Sequence, residues 1–155
     1  MASFQVQFGS WDSPLGREAL NIRIEVFVKE QRVPLEEEED AQDPAACHAI
    51  AYDADGQAQG TGRLFGEPRD PQCARIGRMA VRREARRTGC GSALLAALIG
   101  EARRRGFQRA VLSAQVHAIP FYERHGFQVI SEEYLDAGIP HRAMERVFDD
   151  AGAAQ

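Results

Sequence analysis

The sequence predicts a mixed α/β (α+β) fold. Three observations carry the prediction: polar and apolar residues alternate near the start, apolar residues recur at helical spacing in the middle, and short strand-like runs return toward the end. Phe4, Val6 and Phe8 alternate with Gln5 and Gln7, the period of a half-buried strand. Ser13 and Pro14 read as an N-cap and a first helical residue. Leu15, Ala19, Ile22 and Val26 share one helical face, so a first helix is predicted to run to about Phe27. Lys29 to Asp43 is polar, contains Pro34, and reads as loop or short broken helix. Cys47 to Tyr52 and Gln57 to Phe65 read as strands around a turn at Asp53, Asp55 and Gly56. A further strand is expected from Ala74 to Val81.

The period then changes. Ala93, Leu94, Ala97, Leu98 and Ala102 place an apolar face on a helix from Ser92 to Arg105. Arg103, Arg104 and Arg105 offset the negative end of its dipole, and Gly106 reads as its C-cap. Ala110 to Leu112 reads as a buried strand, and Ile119 to His125 as a short helix ended by Gly126. Val129 to Tyr134 and Ala143 to Phe148 are the last strand candidates.

Composition narrows the classes of function. A chain of 155 residues suits one domain, expected over 1–150 with a short flexible tail at 151–155. The net charge of -4 gives no general drive toward nucleic acid or anionic membrane. The first residues lack the basic and apolar segments of a signal peptide, and no apolar run approaches the roughly 20 residues that span a bilayer. Cys47, Cys73 and Cys90 are odd in number and widely spaced, which fits reduced thiols in a cytoplasmic protein and no metal site.

The segment Val81 to Ser92 joins a predicted strand to a predicted helix. A helix start has unpaired N–H groups and partial positive charge, so it can hold an anion. Gly89 and Gly91 let the backbone curl around a phosphate, and Arg82, Arg83, Arg86 and Arg87 add full charges. A diphosphate is the natural occupant. The same residues also fit a plain tight turn with a solvated arginine face. A P-loop would need Gly-Lys-Ser/Thr, but Ser92 and Ala93 follow Gly91. A dinucleotide fingerprint would need a small residue where Leu94 stands.

Arg86-Arg87-Thr88-Gly89-Cys90-Gly91 resembles the pyrophosphate signature of the GNAT acetyltransferase superfamily, Gln/Arg-x-x-Gly-x-Gly/Ala. Gln115 to Phe127 resembles its second signature, with Gln115 in the place of the usual Asn. Arg23 to Pro34, Ile76 to Val81 and Gly138 to His141 resemble the ElaA-like branch. The resemblance implies a strongly twisted mixed sheet, splayed around acetyl-CoA, with helices on both faces. It implies acetyl transfer from acetyl-CoA directly to a primary amine. Met79, Ala80 and Val81 would pair with the pantetheine arm, and residues Arg86, Arg87, Thr88, Gly89, Cys90, Gly91 and Ser92 would hold the diphosphate. Gln115 and Phe121 would also contact the donor. Tyr122 matches the tyrosine that protonates the leaving thiolate, since a phenol is protonated at neutral pH.

The base is less determined. His117 has a suitable intrinsic pKa and lies in the second signature, while His48, His141 and Glu30 are other candidates. Cys90 reads as a small turn residue, because direct transfer needs no thiol nucleophile. Glu30 and Gln31 are expected acceptor contacts. The acidic run Glu36 to Asp40 reads first as a solvated loop, with steering of a cationic acceptor as the alternative. A longer acyl-CoA, or a non-catalytic CoA-binding module, would fit the same motifs. The acceptor is a small molecule or peptide amine, and the resemblance admits a homodimer.

Overall fold

The computed structural model describes residues 3–148. The expected tail at 151–155 lies outside them. The strands occur in the order β1 (Gln5–Gly9), β2 (Cys47–Tyr52), β3 (Ala58–Glu67), β4 (Asp70–Val81), β5 (Arg109–Gln115), β8 (Ile139–Val147) and β6 (Gln128–Val129), with β7 (Tyr134–Asp136) also on β8. The helices are α1 (Pro14–Arg23), α2 (Leu35–Glu38), α3 (Cys90–Arg104) and α4 (Ile119–Arg124). This is the mixed α/β class that the periodicities predict. The β4–β5 pair is parallel, with Cys73–Arg75 matched to Arg109–Val111. The pairs β1–β2, β2–β3 and β5–β8 are antiparallel.

The chain divides into two compact units. One comprises the chain up to Phe65 with Arg78–Leu98, the other Gly66–Gly77 with everything from Ile99 onward.

In the first unit, Ser13 caps α1 as expected: its Oγ accepts from the Gly16 N–H at 3.1 Å, and Pro14 opens the helix. Ala19, Ile22 and Val26 pack on Ile50, Ala58 and Ala80, with Leu15, Phe27 and Tyr52 partly covered around them. Complete burial of Ile22 alone contributes about 1.5–3 kcal/mol. The helix does not stop at Phe27. From Ile24 to Glu30 it continues as a π-helix, which adds residues per turn without breaking the chain direction.

The acidic run following the π-helix is solvated only in part: Glu36, Glu37 and Glu39 are exposed, and the others are drawn into an ionic cluster. Glu38 and Asp43 are fully buried, as is Arg23. Arg23 Nε donates to Glu38 Oε1 at 2.6 Å, and its Nη1 donates to Asp43 Oδ1 at 2.9 Å. Arg63 bridges Asp40 and Asp43, each at 2.7 Å, and Arg78 reaches Asp40 at 3.2 Å. Three arginines thus meet three carboxylates of this segment. Charges removed from water must be paired and hydrogen-bonded, which explains why Leu35–Glu38 folds as a short helix here. Trp11 closes the cluster: its ring lies 4.8 Å from that of His48, and the Arg23 guanidinium sits 5.2 Å from the Trp11 centroid.

In the second unit, β5 pairs with β8 from Arg109 opposite Val147 to Gln115 opposite His141. Leu112 faces Met144, and both are buried. The strand expected from Val129 to Tyr134 is split. β6 ends at Val129 and β7 begins at Tyr134, and both pair with β8. Ser131 causes the break, because its Oγ accepts from the Ala143 N–H at 2.8 Å and its carbonyl from Arg142 Nε at 3.1 Å. The last strand starts earlier than expected, at Ile139, after a turn with Ala137 and Gly138 at positive φ.

Candidate active site

The anion loop lies in the first unit. Arg83–Ala85 form a short 3-10 turn, and α3 begins at Cys90. Arg87 has φ 63° and Gly89 φ 93°, so the chain passes twice through the left-handed region before the helix. Only glycine adopts that conformation without strain, and the space where a Gly89 side chain would stand is open. The Ala93 N–H donates to the Gly89 carbonyl at 3.0 Å, making Gly89 the cap. The N–H groups of Cys90, Gly91 and Ser92 therefore lie in the first turn of the helix. Thr88 Oγ1 donates to the Ala85 carbonyl and ties the loop to the 3-10 turn.

The arginines divide by partner. Arg82 lies toward Glu18 and Glu25, at 3.7 and 3.6 Å. Arg86 Nε donates to the Val81 carbonyl at 3.0 Å, and its Nη2 donates to Glu30 Oε1 at 2.8 Å. Arg83 reaches the other Glu30 oxygen at 3.6 Å. Glu30, expected at the acceptor, thus holds the arginines of the anion loop. Arg87 is exposed. Gln31 follows the π-helix, with its N–H on the Val26 carbonyl at 3.1 Å.

Met79, Ala80 and Val81 end β4. Arg78, just before them, has φ 51° inside a strand, which interrupts the pleat and re-aims the residues that follow. The Met79 side chain lies against Gly62, where a built Cβ would come within 2.8 Å of its sulfur. Cys90 is buried, and burial with nearby Asp53 pushes its thiol up to about 11. A thiol held protonated is a poor nucleophile. Its sulfur would lie 2.9 Å from a Cβ at Gly60, so it serves as helix-to-strand packing.

Tyr122, His117, Gln115 and Phe121 lie in the second unit. Tyr122 is buried on α4, edge-on to Phe121 at 5.1 Å and to Phe127 at 6.1 Å. Desolvation alone pushes its phenol up to about 12, and its hydroxyl has no hydrogen-bond partner among the described residues. His117 is exposed, and its Nε2 lies 2.8 Å from Gln115 Oε1. His48 is buried with Nε2 at 3.0 Å from the Asp43 carbonyl, inside the ionic cluster, which removes it from the base candidates. His141 is buried on β8, its Nδ1 2.7 Å from the Ile139 carbonyl.

The first unit thus brings Met79 to Val81, Glu30 and the anion loop together. The second brings Gln115, His117, Phe121 and Tyr122 together around the end of β5. Sequence reasoning missed the roles of Arg23, Arg63 and Arg78, whose partners are remote in the chain. Among the described residues, no helix is long and apolar enough to cross a membrane.

A family model described as an acetyltransferase (GNAT) domain matches residues 13–148. The chain is 40% identical over 129 residues to the uncharacterized N-acetyltransferase YjcF of Bacillus subtilis (strain 168), covering 83% of this chain and 89% of that protein. It superposes on the crystal structure of an acyl-CoA N-acyltransferase from Pseudomonas aeruginosa with a TM-score of 0.82 and 33% identity, covering 94% of this chain and 100% of the other. Escherichia coli ElaA gives a TM-score of 0.79 at 27% identity, over 94% and 99% of the two chains. A phosphate-type loop before α3, a desolvated tyrosine on α4 and these likenesses meet in one conclusion: the chain belongs to the GNAT acetyltransferase family.

Proposed function

We propose that the protein transfers an acetyl group from acetyl-CoA directly to a primary amine. The observation that carries this reading is the loop Arg86–Ser92, with left-handed Arg87 and Gly89 leading into a 15-residue helix. That arrangement suits a diphosphate, and the donor of this family carries one. Arg86 and Arg87 supply charge, Thr88 braces the loop, and the N–H groups of Cys90, Gly91 and Ser92 face the anion. The bend at Arg78 frees the main chain of Met79, Ala80 and Val81 to run beside the pantetheine arm as an added strand would. Gln115 and Phe121 border the donor at the end of β5.

The chemistry then needs one proton moved to sulfur. As the amine nitrogen bonds to the carbonyl carbon, the C–S bond breaks and its electron pair leaves with sulfur. Tyr122 gives that sulfur its proton. Burial keeps the phenol protonated over the working range, which favours the acid role. Gln31 contributes to the acceptor side, joined by Glu30 once the phosphates have taken its arginines.

The test combines two measurements on the whole chain. Calorimetry with CoA should give saturable binding, and thiol release from acetyl-CoA with a panel of amines should identify an acceptor. Binding without turnover on any amine would leave a CoA-binding module in place of an enzyme. No binding would remove the reading altogether.

A further inference from the structure

We infer that His141 is the general base of the reaction, with Nε2 receiving the proton of the acceptor amine; this rests on the acetyl transfer proposed above. The argument starts from its hydrogen bond. Nδ1 lies 2.7 Å from the Ile139 carbonyl oxygen, and a carbonyl oxygen can only accept. Nδ1 therefore carries hydrogen, and in the neutral ring the lone pair is on Nε2. Nε2 has no hydrogen-bond partner among the described residues. His117 is arranged the other way: Gln115 Oε1 holds its Nε2, and the residue is exposed.

Position supports the assignment. His141 lies opposite Gln115, the last residue of β5, so it sits at the strand end from which the chain turns into α4 and Tyr122. His141 shares a face with Gln115, Ala143 and Ser113, by the alternation of paired strands. Met144 and Arg146 occupy the other face, where Arg146 Nη1 donates to the His125 carbonyl at the end of α4. The surroundings hold the ring in place: Tyr134 of β7 stacks on it at 6.1 Å, and its hydroxyl bonds Ser113. Tyr134 is the titratable group stacked on it, and no carboxylate or guanidinium forms an ion pair with it among the described residues.

The protons balance. His141 takes one from the ammonium form of the acceptor before attack and returns it to solvent afterwards. The second nitrogen proton, released as the C–N bond forms, replaces the one Tyr122 gives to sulfur.

His141→Asn tests this, because the Asn amide can keep the bond to the Ile139 carbonyl while removing Nε2; His141→Gln is the second variant should the first fail to fold. Each is measured with acetyl-CoA and the amine found by the panel. The expected result is a roughly 100-fold fall in kcat/KM at pH 7, with CoA binding within about twofold of the parent. The deficit should shrink as pH rises toward 10, where more of the amine is already neutral. A loss that stays constant with pH, or retained activity, overturns the assignment. Failure of the parent chain to bind CoA would instead overturn the acetyl-transfer reading and this inference with it.

Discussion

Two arginine clusters lie in the first unit, and their difference is instructive. Arg23, Arg63 and Arg78 meet Glu38, Asp40 and Asp43 in a network where Arg23, Glu38 and Asp43 are all but excluded from water. Arg83 and Arg86 share a single carboxylate, Glu30, and their side chains are 76% and 39% exposed. The first cluster is internally neutral and has no charge left to offer. The second carries an excess of positive charge at a helix start. Arginine count does not separate the two; burial and the number of carboxylates per guanidinium do. A buried pair is expensive to break and adds little when intact. An exposed pair is cheap to exchange for a better anion.

The largest effect should come from breaking the buried network. Asp43→Ala strips a shared carboxylate from Arg23 and Arg63 and should lower the unfolding free energy by about 3–5 kcal/mol in urea melts. A loss below about 1 kcal/mol would show that the two clusters do not differ in kind. Arg86→Ala should do the reverse. Removing one charge-assisted contact should weaken CoA binding about tenfold by calorimetry, with unfolding free energy changed by no more than about 0.5 kcal/mol.

The network should also answer to pH in two directions. Arg63 and the other arginines hold Asp40 and Asp43 below the usual carboxylate range, against the opposing effect of burial. Their stabilisation is present above the ordinary value of about 4 and drains as pH falls through the depressed values. Burial pushes Glu38 up despite Arg23, and its Oε2 has no hydrogen-bond partner. The native state therefore binds an extra proton between the ordinary value and the raised one, and stability falls as pH rises through that window. Glu38→Gln should erase this second slope only, giving a flatter stability profile above about pH 4.5 than the parent's. Parallel profiles would contradict the sign assigned to Glu38.

The smallest effect sharpens the contrast from the other side. Glu30→Gln frees Arg83 and Arg86 of their internal anion and should tighten CoA binding about threefold, the magnitude of an exposed pair. Weaker binding would mean that Glu30 positions the arginines instead of competing for them.

Locality explains what could be read from the chain. The turn from β4 into α3 was legible because its glycines and helix start are contiguous. α1, α3 and the β2–β3 hairpin were legible from their own periods and caps. The ionic network was not, since Arg23 lies 15 residues from Glu38 and Arg78 lies 38 from Asp40. In one dimension, Glu36 to Asp40 looks like a solvated run; only folding brings the arginines that pair with Glu38 and Asp40. The split between β6 and β7 was hidden because it depends on one hydroxyl, that of Ser131, meeting a strand that comes later. The tautomer of His141 was equally hidden, since it is set by a carbonyl two residues away whose direction depends on the turn at Ala137 and Gly138.

The wide helical coil from Ile24 to Glu30 has a consequence for how this chain can vary. Each residue of an ordinary helix advances the azimuth by about 100°. Removing one residue from this segment would let it relax into regular winding while α1 kept its buried face. A wide coil advances each residue by less than that, so the deletion would leave everything beyond it close to its present azimuth, with Glu30 still facing Arg83 and Arg86. The segment can therefore gain or lose one residue without changing which carboxylate meets the loop before α3.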